Sequence, residues 1–276
     1  MKKTGNITAA ILAFSTLLLA SCGNAGEIMQ ENKKTLYEKI QERGVVTVGT
    51  GGDCRPFSYH DEKEELKGYE VEAAKAVADR MGVKARFRED GQDMLLSALD
   101  SENVDLVMNR TKVTEERKEK YDFSEPYLYS YEVLITTGEN RDIKDPESAR
   151  GRKAALNLSG DHIRTAEKYR MDVKLVDSFQ RAVELLKTGQ VDCVIDSAVA
   201  VEDYLKENPE SRLKIVDIKE EPDVIAVPVP KGNTDLLEAV NKAISDLKKN
   251  GVLQGLSEKY FGRDLTRRIR PEELPK

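Results

Sequence analysis

The chain has 276 residues, with 50 acids against 44 bases and a formal net charge of −6. An acidic chain without a basic block argues against a nucleic-acid partner, and three cysteines make no disulfide framework. The length is enough for two modest domains with cores of their own.

The first residues, MKKTGNITAAILAFSTLLLASCGN, give two lysines, an apolar run from Ile7 to Ala20 and a small pair before Cys22, the layout of a secretory signal over 1–21. The run is too short to cross a bilayer, and Thr8, Ser15 and Thr16 interrupt it. Leu19-Ala20-Ser21-Cys22 resembles the bacterial lipoprotein lipobox, which implies cleavage before Cys22 and diacylation of its sulfur. Two acyl chains suffice for stable anchoring. The remaining chain, 22–276, carries a formal charge of −8 once Lys2 and Lys3 are gone. Its polar start, 22–34, reads as a tether between the lipid bilayer and a soluble body, which places the protein outside the cytoplasm, in a periplasm or on the outer face of a single membrane. A plain signal peptide with an incidental cysteine is the alternative.

From Leu36 onward, strand-like and helix-like runs alternate: VVTVGT (45–50), GYEVEAAKAVADRMG (68–82), KARFRE (84–89), DMLLSALDS (93–101) and VDLVMN (104–109). In the second run Val71, Ala74, Ala78 and Met81 share one helical face, and Gly82 is the stop. This order predicts a parallel sheet covered on both faces. A second α/β run follows over 152–208, after an extended segment at 131–137 that reads as a crossing strand with a polar linker to 151. Residues 222–233, PDVIAVPVPKGN, form a second extended segment whose prolines deny it a helix. Two amphipathic helices, 234–251 and 252–262, close the chain at Gly251 and Gly262. A chain that goes out to a second lobe and returns leaves a cleft and a two-strand hinge, a geometry used for closure on ligands.

Several stretches resemble the solute-binding proteins of family 3, the receptors of ABC importers for polar amino acids. They are RGVVTVGT…PFSY (43–59), LKGYEVEAAKAVADRMGVK (66–84), VDLVMNRTKVTEERKEKYDFSEPY (104–127), AVELLKTGQVDCVID (182–196) and NKAISDLKKNGVLQGLSEKYFG (241–262). The wording KEKYDFSEPY and VEDYLKENP looks closest to the cystine-type receptors. The resemblance implies a type II periplasmic-binding-protein fold of two α/β lobes. Lobe one is expected over 35–130 and 226–276, and lobe two over 131–225. It also implies a membrane permease as partner, a small-molecule ligand and no cofactor or metal.

By the same resemblance Arg117 forks onto the ligand's carboxylate, a role that suits a planar guanidinium with two parallel donors, while Thr114 caps its helix. Ser159, Gly160 and Asp161 stand in the small-residue turn that meets the same anion. The family's ammonium-binding aspartate falls on Ser197, with a carboxylate one position earlier at Asp196, so either a register change brings Asp196 in or it points elsewhere. Lys112 stands where a hydroxyl usually accepts from the ligand ammonium. Two like charges about 4 Å apart repel by roughly 4 kcal/mol at an effective dielectric near 20, so Lys112 turns away or the ligand differs. Cys54 and Gln92 stand where aromatic or bulky walls are usual. With Asn109, Arg110 and Arg55 they complete the expected lining, whose positive charge leans towards an acidic amino acid or small carboxylate.

Two rival readings stand beside the receptor. The fold also hosts dehydratase-like periplasmic enzymes, yet His60 and His162 sit in no nucleophile–base arrangement, so no catalytic residue is expected. A sensory or vestigial binding module for a small carboxylate is the other. Cys54 and Cys193 stand far apart in sequence and either bridge or remain free.

Overall fold

The computed structural model describes residues 34–157 and 162–274. The expected signal peptide, Cys22 and all of the tether except Lys34 lie outside the described residues, as do Ser159, Gly160 and Asp161. Among the described residues no helix is long and apolar enough to cross a membrane.

Strand Val45–Thr50 lies at the centre of a three-stranded parallel sheet, between Lys84–Glu89 and Leu106–Val107. Helices Tyr69–Arg80 and Gln92–Asp100 fill the crossovers. The expected apolar stripe faces inward: Val71, Ala74, Ala78 and Met81 are all buried, and Gly82 ends the turn at a φ of +77°. Gly68, before the first helix, has a φ of +126°, and a Cβ there would stand 2.1 Å from the Phe57 carbonyl oxygen. Only glycine fits that approach.

A five-stranded sheet takes the order Asp172–Val176, Lys153–Asn157, Cys193–Ser197, Glu132–Thr137, Leu213–Ile218. Its first three strands are parallel, with helix Phe179–Lys187 in the crossover that feeds Cys193–Ser197. Glu132–Thr137 is therefore not a crossing strand as the sequence predicts. It is buried between two antiparallel neighbours, because five of its six side chains (Glu132 to Thr136) are buried. The crossing is made by two short antiparallel ladders, Tyr121–Phe123 with Pro228–Pro230 and Leu128–Ser130 with Asp223–Ile225. These carry the chain out of the first sheet and back to it, where helices Thr234–Lys249 and Val252–Phe261 pack. One apolar cluster runs through the crossing, from Val48 and Leu106 through Tyr127, Leu128 and Ile225 to Val194.

Candidate functional site

The parallel strands of both sheets end towards the crossing ladders, which is where open α/β sheets present their loops and ligand sites. There a polar cleft opens, lined by Gln92, Asn109, Arg110, Lys112, Ser130, Asn157, His162, Asp196, Ser197, Asp223 and Ile225. It holds about 680 Å³ of empty space, including its open mouth. The segment 109–112, the return strand and the five-stranded sheet thus contribute to one lining.

Arg110 owes its position to a buried acid. Glu70, on the first turn of helix Tyr69–Arg80, accepts the Arg110 backbone N–H at 2.6 Å and the Tyr127 hydroxyl at 2.5 Å. That bond holds Arg110 in the left-handed region, at a φ of +53°, and its guanidinium lies 5.1 Å from the centre of the Phe57 ring. Burial raises the Glu70 pKa, against the opposing pull of Tyr127 and Arg110. Its Oε2 and the Arg110 Nε are buried with no hydrogen-bond partner.

Lys112 does face the cleft, and its charge is answered. Its Nζ stands 2.6 Å from Asp223 Oδ1, which Lys219 also approaches at 3.2 Å. The repulsion expected between Lys112 and a ligand ammonium is thereby screened within the wall. Gln92 and Asn109 are buried together: Asn109 Nδ2 donates to Gln92 Oε1 at 3.0 Å, and Gln92 Nε2 donates to the Thr111 hydroxyl at 3.1 Å.

On the opposite wall Asp196 and Ser197 end their strand at the cleft. Asp196 Oδ1 accepts the Ser197 N–H at 2.7 Å, while the Ser197 hydroxyl caps helix Ala198–Glu207 by accepting from the Ala200 N–H. The carboxylate and the hydroxyl's O–H both remain at the cleft lining. His162 lines the cleft with its Nδ1 2.8 Å from Glu132.

Arg117 is carried on helix Glu115–Lys120, capped by Thr114 as expected. Its Nη1 donates to the Lys112 carbonyl at 3.0 Å, and it lines a neighbouring cavity with Asp93, Asp100 and Arg164. It is therefore not among the residues that line the cleft with Arg110, Lys112 and Asp196, where the resemblance placed it.

Cys54 and Arg55 lie in a wider extension that shares Arg110, Asn157 and Asp196 with the cleft. Asp53, Asp177, Asp203 and Glu207 make that extension acidic, and Phe179 and Tyr204, in edge contact, give it an aromatic side. Cys54 and Cys193 are both free, and burial pushes their thiols up to about 11 and about 12. Sequence reading missed Glu70, Asp223 and Glu132, whose roles depend on pairings 30 to 111 positions apart along the chain.

Comparison with known proteins gives a consistent result. The model of the bacterial extracellular solute-binding proteins, family 3, matches residues 46–263. The chain is 34% identical to the L-cystine-binding protein TcyA of Bacillus subtilis, over 97% of this chain and all of that protein. An ancestral arginine-binding protein bound to arginine superposes with a TM-score of 0.74 at 35% identity, covering 80% of this chain and 99% of that one. The L-cystine solute receptor of Neisseria gonorrhoeae, unliganded and open, superposes with a TM-score of 0.64 at 34% identity, covering 85% and 100%.

Proposed function

Because the chain belongs to the bacterial extracellular solute-binding proteins of family 3, we propose that it is the extracytoplasmic receptor of an ABC importer, closing on a polar amino acid. One observation carries this reading: a single cleft sets a guanidinium, Arg110, opposite a carboxylate, Asp196. A zwitterion needs such a pair of opposed charges. Asp196 takes the ammonium and Arg110 holds the carboxylate through charge-assisted bonds, while Arg117 fixes the Lys112 backbone beside them.

The two lobes are 35–130 with 226–276, and 131–225. Strand membership supports this division, since every strand of the five-stranded sheet lies within 132–218. Arg164 donates to Glu116 at 3.2 Å and Arg55 stands 3.6 Å from Asp203, contacts that tie one lobe to the other across the cleft. These, with the higher TM-score to the arginine-bound protein than to the open receptor, support a closed arrangement.

The acidic extension favours a ligand whose far end carries a positive or dipolar group, as cystine and arginine do, over the acidic amino acid that the cationic lining suggests. The lipid-modified Cys22 holds the receptor at the membrane beside its permease. The role is binding without turnover, in keeping with relatives named as binding proteins.

Thermal-shift screening of the soluble chain against polar amino acids and dicarboxylates tests the reading. A ligand at a thousand times its Kd adds about 4 kcal/mol of stability. At least one polar amino acid should raise the melting temperature, and Arg117→Ala should reduce that shift. No response to any of them contradicts the receptor, and turnover of a responding ligand favours the dehydratase-like enzyme.

A further inference from the structure

The histidine in the cleft wall has no part in the charge pairing described above, and its surroundings are built. His162 is the residue before helix Ile163–Lys168. Its Nδ1 meets Glu132 Oε2 at 2.8 Å, and the other oxygen of Glu132 accepts the Thr165 hydroxyl at 2.6 Å. The Glu132 side chain is 4% exposed and that of His162 15%. A carboxylate only accepts, so Nδ1 carries a proton in either charge state. Nε2 is the nitrogen left, on a ring that lines the cleft and whose Nε2 hydrogen-bonds no other described residue.

We propose that His162 is a specificity-determining residue of the cleft: held by Glu132 as an imidazolium, it donates Nε2–H to an anionic oxygen of the ligand. The inference rests on the receptor reading and adds a proton to it. Ligand and proton then bind together, and each strengthens the other.

The charged groups facing the ring come from three strands and a loop. Glu132 lies on its own strand, Asp196 on the neighbouring one and Asp223 on the return strand; Lys112 and Lys219 both pair with Asp223, and Arg110 shares the cleft. Burial works against the imidazolium. The Glu132 bond, with the charges of Asp196, Glu132 and Asp223, outweighs it and raises the His162 pKa above the ordinary histidine value. These anions and cations around the ring balance three against three, so the direct Glu132 bond is what favours the imidazolium beside Arg110.

With two histidines in the chain, imidazole resonances can be assigned with His60→Gln, a substitution remote from the cleft at the exposed His60–Glu89 pair. The His162 pKa is read by NMR with and without the responding amino acid from L-arginine, L-glutamine and L-cystine. Calorimetry then gives Kd for the wild type and His162→Gln between pH 5.5 and 8.5, and the ratio of the two cancels the ligand's own titration.

The expected ratio is about tenfold at the acidic end, shrinking towards unity at the basic end, with a ligand-induced rise of about one unit in the His162 pKa, since one unit is a factor of ten in affinity. Glu132→Gln should lower the His162 pKa in the free protein, an effect that needs no ligand and no folded His162 variant. A responding ligand with a pH-independent ratio, or a His162 pKa unmoved by saturation, overturns the proposal and leaves the receptor intact. Failure of all three probes to bind overturns the receptor reading and this one with it.

Discussion

A lysine and an aspartate meet in the cleft wall, Lys112 Nζ on Asp223 Oδ1 at 2.6 Å, their side chains 18% and 10% exposed. Removing one member of such a pair leaves the other's charge buried. Lys219 remains 3.2 Å from Asp223, so the loss is partial. Lys112→Met should cost about 1–3 kcal/mol in urea denaturation, and Asp223→Asn in the same chain should recover most of it. If the single variant is as stable as the wild type, the pair does not hold the wall.

The Glu132–His162 pair gives a second expectation at this scale. The Glu132 pKa is lowered: burial opposes, but the His162 bond and charge win. A lowered acid contributes stability present above its unfolded pKa and lost as pH falls through the folded one. The raised His162 contributes stability that is full below its unfolded pKa and lost as pH rises through the folded one. The pair therefore supports the fold most between the ordinary glutamate and histidine values, about 4.5 and 6.5. Glu132→Gln should narrow its stability deficit on either side of that window. A deficit independent of pH from 4 to 8 would show that the pair is not ionised.

Helix Tyr69–Arg80 presents Glu70 to Arg110 because Gly68 lets the chain pass under Phe57. Gly68→Ala places a methyl group 2.1 Å from a backbone oxygen at a φ of +126°. The combined strain and clash should cost about 3 kcal/mol, read as a lower denaturation midpoint, and should loosen Arg110 as well. A neutral effect would mean that the turn relaxes without penalty. The helix itself was legible from Val71, Ala74, Ala78 and Met81, and its end from Gly82. Both signals are local. What the helix does for the cleft was not legible, because nothing near Glu70 in sequence names Arg110 as its partner.

Strand Glu132–Thr137 shows the same limit. Its apolar run says that it is buried, but an extended segment reads alike whether it crosses between sheets or lies inside one. The strand Leu213–Ile218 that covers it has every side chain half-buried, and its alternation slips by one residue at the bulge between Ile215 and Asp217. At the end of Cys193–Ser197 the spacing left Asp196 and Ser197 as alternatives, and both line the cleft, Ser197 also capping the next helix.

At the scale of the whole molecule, the alternation of strands and helices and the return segment 222–233 foretold an α/β chain that leaves one sheet and returns, although the outward crossing runs through Tyr121–Phe123 and Leu128–Ser130 and not through 131–137. The cleft follows from that path. Its charge balance does not, since Lys112–Asp223 forms only where the return segment meets 109–112, and Glu132–His162 only where strand Glu132–Thr137 meets the start of helix Ile163–Lys168. The contacts Arg164–Glu116 and Arg55–Asp203 should hold the lobes closed around ligand. Small-angle scattering should then give a smaller radius of gyration on saturation, and an unchanged radius would argue against hinge closure.

Isothermal titration of the soluble chain with L-cystine, L-arginine and L-glutamine, repeated on Asp196→Asn, addresses the receptor most directly. The expected result is micromolar or tighter binding of at least one of them, weakened about tenfold or more in the variant, by the loss of one charge-assisted bond. Absence of heat with all three, or an affinity that Asp196→Asn leaves untouched, would contradict a cleft that grips a zwitterion between Arg110 and Asp196.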